Sequence, residues 1–471
     1  MNGVTTDPAA PTIRKPERGD EVELRVDALA FGGNGVARLK LGDRGYVLFV
    51  RGAIPGDLVR ARVTKRKRDY AEALTLEVLE PGPDRIEPVA DHPGAPWQVL
   101  AYEQQVQIKQ GQVDDALRRL GKLDGFELEP IVPAVEQWRY RNKLEYSFGV
   151  DEAANLVCGF HAPGSWSRIL HVEDCLLASE RGNEVRTAAL AVCRELGLEP
   201  YDRREQRGFL RNLVVREGRR TGHVQVRLVT SKGEFDDDRF AQALEAIGVQ
   251  SVVWTQAAGV AESTQGGLDT LLLGGERIQE DLCGLRFSLS TDAFFQTNTE
   301  MAEELYAVAQ EYAALQGWER VYDLCCGIGT IGLTLASRAA EIVGVEIVAD
   351  AVKDAATNAR ANEITNARFI AGDVRAILKD LAEKPGESPD VVVVDPPRAG
   401  LSKKVVQRIG EANPKRIVYV SCNPTTLAPN AAQLVADHGY TLTRVRPVDM
   451  FPQTPHIECV ALLERVAEPP A

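Results

Sequence analysis

Between residues 18 and 80 apolar and polar positions alternate, as in "EVELRVDALAFGGNGVARL", "GYVLFVRGAIPGDLVRARV" and "EALTLEVLEPG". Period-two alternation over short runs, broken by glycine-bearing turns, predicts a small OB-like β-barrel over residues 15–80. The polar lead-in, residues 1–14, is expected to be a disordered tail. "PGPDRIEPVADHPGAP" is a proline-rich linker, and the stretch near "YEQQVQIKQGQVDDALRRLG" is helical, so residues 81–130 read as linker and helix. From 131 to 290 strand-like runs ("NKLEYSFGV", "FLRNLVVREG", "HVQVRLVT") mix with helical ones ("DRFAQALEAIG"), which predicts an α+β domain. From 291 to 471 the order becomes strand, helix, strand, helix. The apolar strands are "RVYDL", "EIVGVEI", "ARFIAGDV", "DVVVVDP" and "RIVYVS". That alternation predicts a parallel doubly wound sheet with ligands bound outside the carboxyl ends of its strands.

Length agrees with several domains, since 471 residues exceed one ordinary core. Composition is that of a globular protein, 44% hydrophobic and 26% charged. No apolar run approaches the roughly 18–20 residues that cross a bilayer, and the N-terminus has no apolar signal core. A cytoplasmic monomer with no membrane partner is expected. The eight cysteines include no Cys-x-x-Cys pair, so neither a zinc site nor a disulfide framework is supported.

The formal net charge of -13 argues against nonspecific nucleic-acid binding, but the distribution is uneven. Residues 51–68 hold seven basic side chains (Arg51, Arg60, Arg62, Lys65, Arg66, Lys67, Arg68) against one acid, Asp57. Such a run is either a solvated charged face or the basic side of a barrel that holds single-stranded nucleic acid. In "YRNKLEYSFG", Arg141 and Lys143 are candidate phosphate contacts or surface ion pairs.

"RVYDLCCGIGTIGLTLA" begins as a strand, makes a glycine turn and becomes a helix. Gly327, Gly329 and Gly332 satisfy G-x-G-x-x-G, and Glu346 ends the next strand, nineteen residues after Gly327. Glycine permits the tight turn and close approach of a ligand; a carboxylate there accepts ribose hydroxyls. The pattern fits a nicotinamide dehydrogenase as well as an adenosyl-cofactor enzyme. Asp373 and Asp395 end the third and fourth strands, and unpaired carboxylates are costly to bury for packing alone. A dehydrogenase has no need of the Asp-Pro-Pro-Arg that begins at Asp395.

"VYVSCNPTTLAPN" then puts Cys422 where the fifth strand gives way to a helix. The positive end of that helix, starting near Thr425–Thr426, is expected to lower the thiol pKa. "YTLTRVRPVDMF" and "ECVALLER" read as an antiparallel hairpin, which would bring Glu458 to the same sheet edge as Asp395 and Cys422. Carbon 5 of uracil needs all three features: a thiolate adding to carbon 6 makes it nucleophilic, an adenosyl sulfonium offers a methyl group, and a carboxylate removes the carbon 5 proton.

These residues resemble the RNA uracil-5-methyltransferase family, which makes 5-methyluridine in tRNA and 23S rRNA. Residues 15–80 resemble its TRAM barrel, and "WQVLAYEQQ", "YRNKLEYSFG", "FFQTN", "DLCCGIGTIGL", "DPPRAGL", "SCNPTTLAPN" and "HIECVALL" match its motifs in order. The resemblance implies a C-terminal α/β Rossmann-like class I methyltransferase domain. It implies Cys422 as nucleophile and Glu458 as base. Gln296, Cys325, Gly327, Gly329, Thr330, Glu346, Asp373 and Asp395 would bind S-adenosyl-L-methionine or the base. Lys65, Arg66, Lys67, Arg68, Arg141 and Lys143 would bind RNA. The barrel favours 23S rRNA over tRNA. Family members often have an aromatic residue at the position of Cys325 and sometimes Asn at that of Thr330. Many carry an iron–sulfur cluster; here His92 and Ala95 stand where two of its cysteines would be, and Cys175 is left as the orphaned fourth ligand, so no cluster is expected. The alternative is an RNA-binding or chaperone module with a vestigial pocket.

Overall fold

The computed structural model describes residues 15–466 apart from 42, 43, 258, 260–263 and 265; the expected tail, 1–14, lies outside the described residues. The chain divides into two compact units. The first comprises the described residues up to Ala90, with Pro96–Ile108 and Gln453–Pro455; the second holds the remainder.

In the first unit, β1 (Glu21–Leu29), β2 (Gly35–Leu41), β3 (Arg44–Arg51), β4 (Leu58–Arg66) and β5 (Tyr70–Glu80) close a barrel in the order β1-β2-β3-β5-β4. The alternation explains the closure. Val59, Ala61 and Val63 of β4 face the core with Leu24, Val26, Leu48 and Val50, while Arg60 and Arg62 between them face out. Several basic residues are already paired. Arg60, Arg62, Lys65 and Arg66 lie against Glu77, Glu21, Glu72 and Glu17. Lys67 and Arg68 are exposed at the β4–β5 turn. Of the two readings of the basic run, the four paired residues match the solvated charged face, held in exposed ion pairs.

The expected helix of the linker is α1 (Tyr102–Asp115), continued by a π-helical turn over Ala116–Leu120, and a two-residue strand β6 (Glu127–Leu128) follows.

The second unit contains two large sheets. The central one runs β13-β12-β11-β10-β7-β8-β9, built from β7 (Lys143–Val150), β8 (Leu156–His161), β9 (Ile169–His171), β10 (Leu210–Glu217), β11 (Val224–Thr230), β12 (Ser251–Gln256) and β13 (Leu268–Gly274). Helices α2 (Glu180–Glu195) and α3 (Asp237–Ala246) pack on it over one apolar core. Its polar buried residues reach toward the next segment. Arg216 donates to the carbonyls of Ser290 (2.9 Å) and Ala293 (2.6 Å). Asn142 donates to the carbonyl of Gln296 at 2.8 Å and to the Thr299 hydroxyl at 2.9 Å.

A ribbon, β14 (Arg277–Leu282) and β15 (Leu285–Ser290), lies before the expected boundary at 290, yet Ile278, Leu282, Phe287 and Leu289 belong to the C-terminal core. That domain follows with α4 (Thr299–Ala313), β16 (Arg320–Leu324), α5 (Thr330–Leu335), β17 (Glu341–Glu346), α6 (Ala349–Ala361), β18 (Ala367–Ala371), α7 (Val374–Ala382), β19 (Val391–Val394), α8 (Lys403–Ala412), β20 (Arg416–Ser421), α9 (Pro424–His438), β21 (Tyr440–Val448) and β22 (Glu458–Arg465). The sheet order is β18-β17-β16-β19-β20-β22-β21-β6. Strands β16 to β20 are parallel; β22 runs antiparallel to β20 and β21.

Both faces of this sheet are covered, which is why its strands read as continuous apolar runs. Val391 and Val393 point into the core beneath α4, α5 and α6; Val392 and Val394 point into the core beneath α7, α8 and α9. Truncating a large aliphatic side chain in either layer would cost roughly 2–5 kcal/mol. With both faces sealed, the free edge is the line of carboxyl ends. No helix among the described residues is long and apolar enough to cross a membrane.

Candidate active site

A cavity of about 800 Å³ opens at those carboxyl ends. Cys422 lines it directly after β20, where Asn423 is extended (φ -150) and caps α9. The Asn423 carboxamide oxygen accepts the Thr425 N–H at 3.0 Å and its hydroxyl at 2.7 Å. The helix therefore starts at Pro424, one residue ahead of the expected position. Pairing of Ser421 with Cys459 sets Glu458 one residue beyond the ladder, at the edge where Cys422 emerges. Cys422, Glu458 and Asp395 line the same cavity.

The electrostatics reverse one expectation. Burial first, then the Glu458 and Asp395 carboxylates, push the Cys422 thiol up to about 12. The protein without substrate therefore holds a thiol rather than a thiolate. Burial, with the charge of Asp395, raises Glu458 well above the ordinary carboxylate range, and burial pushes Asp395 to about 7. Arg398 works in the opposite sense on both Cys422 and Glu458. Its guanidinium bonds His456 Nδ1 at 2.8 Å. Burial lowers His456 to about 4, so the ring is neutral and its Nδ1 accepts from Arg398.

The glycine turn forms the opposite wall. Cys325 (φ 60), Gly327 (φ 53) and Gly329 (φ 84) all adopt left-handed backbone. A Cβ on Gly327 would meet open space, as a ligand-facing glycine requires. Gly329 does not line the cavity. A Cβ there would lie 3.1 Å from the Phe369 ring and 3.2 Å from Ala355, so this glycine serves packing rather than ligand contact. Cys325 and Thr330 do line it, and the Thr330 hydroxyl is bonded to that of Tyr306 at 2.9 Å. The Glu346 carboxylate accepts the N–H groups of Gly327 (3.1 Å) and Val348 (2.9 Å), which fixes it at the rim. Asp373 caps α7 by accepting the Ala376 N–H at 3.1 Å, and it too lines the cavity, as does Gln296.

Of the expected RNA contacts, Arg141 lines the cavity and stacks on Phe451 (5.4 Å). Lys143 does not; it pairs with Glu145 at 2.8 Å. Between them Asn142, passed over in the sequence, positions Gln296 through its buried amide. Asp323 was also missed, because "RVYDL" reads as an ordinary core strand. It lines the cavity, accepts the Gly332 N–H at 2.8 Å and is pushed to about 7 by burial and the neighbouring carboxylates. Its one signal was an acid set between Tyr322 and Leu324 in a strand whose last four residues are buried.

His92 and Cys175 are both buried, with Nε2 3.2 Å from Sγ, and Ala95 is buried in the same core. Burial lowers the His92 ring to about 4, so it packs neutral.

Sheet order, glycine turn and strand-end carboxylates together define a Rossmann-like domain with a cofactor site at the carboxyl ends of its strands, the class that includes S-adenosylmethionine-dependent methyltransferases. The comparisons narrow the class. A family model for tRNA (uracil-5-)-methyltransferases matches residues 276–466, and one for the TRAM domain matches 15–76. An RNA methyltransferase of Clostridium tetani, described as uncharacterized, is 36% identical over 460 residues, spanning 95% of this chain and 98% of that relative. A Gloeobacter violaceus relative, described likewise, is 39% identical over 464 residues, spanning 95% and 97%. The crystal structure of Pyrococcus abyssi tRNA (uracil-54, C5)-methyltransferase with S-adenosyl-L-homocysteine superposes with a TM-score of 0.75 at 27% identity, covering 94% of this chain and all of that one. The chain belongs to the RNA uracil-5-methyltransferase family.

Proposed function

We propose that the protein methylates carbon 5 of a specific uridine in RNA through a covalent adduct between Cys422 and carbon 6. The observation that carries this reading is the convergence of Cys422, Glu458 and Asp395 on one cavity shared with the glycine turn and Glu346. S-adenosylmethionine, held by the turn at Cys325–Thr330 with Glu346 and Asp373, supplies the methyl group. As the uracil enters, the Cys422 thiol loses its proton to solvent at the cavity mouth and the thiolate adds to carbon 6; the electrons of the 5,6 double bond make carbon 5 an enolate-like nucleophile, which would take the sulfonium methyl group as S-adenosylhomocysteine departs. Once carbon 5 carries the methyl group, Glu458 takes its remaining proton, the sulfur–carbon 6 bond breaks and the ring double bond returns. Burial favours the protonated form of Glu458 in the empty site, so the step requires it to be ionised first; once ionised, a buried carboxylate is a stronger base than a solvated one, which suits Glu458 to that step. The uridine must be unpaired or flipped, because its reacting face is covered in a stacked helix.

RNA with 5-fluorouridine cannot lose a proton from carbon 5, so with S-adenosylmethionine it should trap the adduct in a denaturing gel. An undiminished adduct in Cys422→Ala would sink the assignment. The TRAM barrel favours 23S rRNA, with Lys67 and Arg68 at its turn touching flanking phosphates. The tRNA reading is favoured by the likeness to the Pyrococcus abyssi tRNA enzyme over its full length. Mapping 5-methyluridine in both RNAs from a deletion strain separates the two.

A further inference from the structure

A second cavity, of about 290 Å³, opens on the central sheet and shares no lining residue with the first. Its walls include the end of β7, the loop bearing Trp166, residues 200–204 and Arg211 of β10. Trp166 is 50% exposed, and the Arg204 guanidinium lies over its ring at 4.9 Å. Arg211 lies over the Tyr201 ring at 4.1 Å. Arg211 is fixed in place, donating to the Ser231 hydroxyl (3.1 Å) and the Gly259 carbonyl (2.6 Å). Arg203 adds a third guanidinium to the lining. Asp202, the one carboxylate among the lining residues, accepts the backbone N–H groups of Arg204 (2.7 Å) and Glu205 (3.1 Å).

Three guanidiniums and two exposed or half-exposed rings around one hollow run against a chain whose net charge is -13. A simple anion would use the cations and leave the rings unexplained; an apolar ligand would use the rings and leave the cations unexplained. A nucleotide uses both, its base stacking on a ring and its phosphate bonding the guanidinium edges. The volume is near the lower end of ligand sites, roughly 300 Å³. The structure assigns this cavity to one unpaired nucleotide of the substrate RNA, with its base on Trp166 or Tyr201 and its phosphate on Arg203 and Arg204. The assignment rests on RNA being the substrate, but not on the chemistry at Cys422.

The test compares Trp166→Ala, Trp166→Phe and the pair Arg203→Glu, Arg204→Glu in the full-length protein. The measurements are RNA affinity across a salt series, methyl-transfer kinetics and calorimetric binding of S-adenosylmethionine. Trp166→Ala should raise the Kd and KM for RNA at least about tenfold, the scale of one base–aromatic stack, with kcat and cofactor affinity held. Trp166→Phe keeps a stacking face and should restore most of that affinity. The arginine pair should reduce the slope of log K against log salt by about 0.7 for each phosphate no longer neutralised. RNA carrying 5-iodouridine should crosslink to peptides containing Trp166 or Tyr201. Unchanged RNA affinity in both the alanine and glutamate variants, with crosslinks mapping elsewhere, overturns the assignment. So does binding of free AMP or UMP that Trp166→Ala abolishes while RNA affinity stays the same, which would make the cavity a metabolite site. Because affinity and crosslinking need no methyl transfer, failure of the Cys422 chemistry would leave both readouts intact.

Discussion

The Asn423 side-chain amide donates to the backbone carbonyl of Arg398 at 3.0 Å, so the residue that caps the helix behind Cys422 also holds the loop that carries Asp395. Further along the same helix, the Asn430 carboxamide oxygen accepts the Leu401 N–H (2.9 Å) and the Tyr419 hydroxyl (2.9 Å), while its nitrogen donates to the Leu401 carbonyl (3.0 Å). Thiol and carboxylate are therefore held as one piece. Asn430→Ala leaves these buried groups unsatisfied and should cost roughly 2–3 kcal/mol of stability. Its kcat should fall with little change in cofactor affinity. Urea unfolding and steady-state kinetics check both parts; full stability in the variant would refute the latch.

Glu458→Gln should separate addition from elimination. Cys422 can still add to uracil, but no carboxylate takes the carbon 5 proton. Ordinary RNA and S-adenosylmethionine should then yield a long-lived protein–RNA adduct that survives denaturing electrophoresis, with turnover reduced by at least about a hundredfold. Rapid turnover without adduct would remove Glu458 from the base role.

Burial leaves its mark on stability against pH. Asp323 and Asp395 titrate near 7 in the folded protein, against an ordinary aspartate value near 4. Between those values the folded state binds more protons than the unfolded one, so stability declines as pH rises from about 4 to about 7. The two carboxyls interact and titrate as a pair. Asp395→Asn should flatten that decline, visible as a smaller drop in Tm from pH 5 to pH 8 than in the wild type. Parallel curves would contradict the burial account.

Gly327 of the turn and Gly332 of α5 should respond differently to alanine. At Gly327 the added Cβ meets open space, and the left-handed backbone costs an alanine about 1 kcal/mol. Gly327→Ala should fold yet bind S-adenosylmethionine at least about tenfold more weakly, since its Cβ intrudes on the ligand side. At Gly332 the Cβ would lie 2.7 Å from Asp323 Oδ2 and 2.9 Å from Ile342, so Gly332→Ala should lose about 1–3 kcal/mol of stability. Calorimetry and thermal melts distinguish the two.

The residue His92 bonds Cys175 in a closed core that also contains Ala95. Protein purified without oxygen should hold far less than one iron or acid-labile sulfide per chain. Stoichiometric iron would reverse this expectation.

Much of the architecture was legible because it is written locally. Alternation in "LVRARVTKR" gave a barrel strand, and the unbroken "VVVV" of β19 gave a strand covered on both faces. The glycine spacing gave the cofactor turn. The ribbon at 277–290 was harder to assign, since its apolar residues find their partners in a core formed by later helices. The basic run was visible, but its carboxylate partners lie on neighbouring strands, so their neutralising effect was not. Asn142 carried no signal because its target, the Gln296 carbonyl, is 154 residues away.

By itself the sequence determined which residue types stand at each strand end, because side-chain period and turn chemistry depend on near neighbours in the chain. It also carried the order of motifs that marks the family. The hairpin reading placed Glu458 at the edge of Cys422, but tertiary structure alone decided the pairing of Ser421 with Cys459 that fixes its register, the inward aim of Asp323, and the protonation of the site. The expectation of a lowered thiol pKa failed on that last point. A helix end acts from adjacent residues, whereas desolvation and the opposing carboxylates come from strands that meet only when the chain folds.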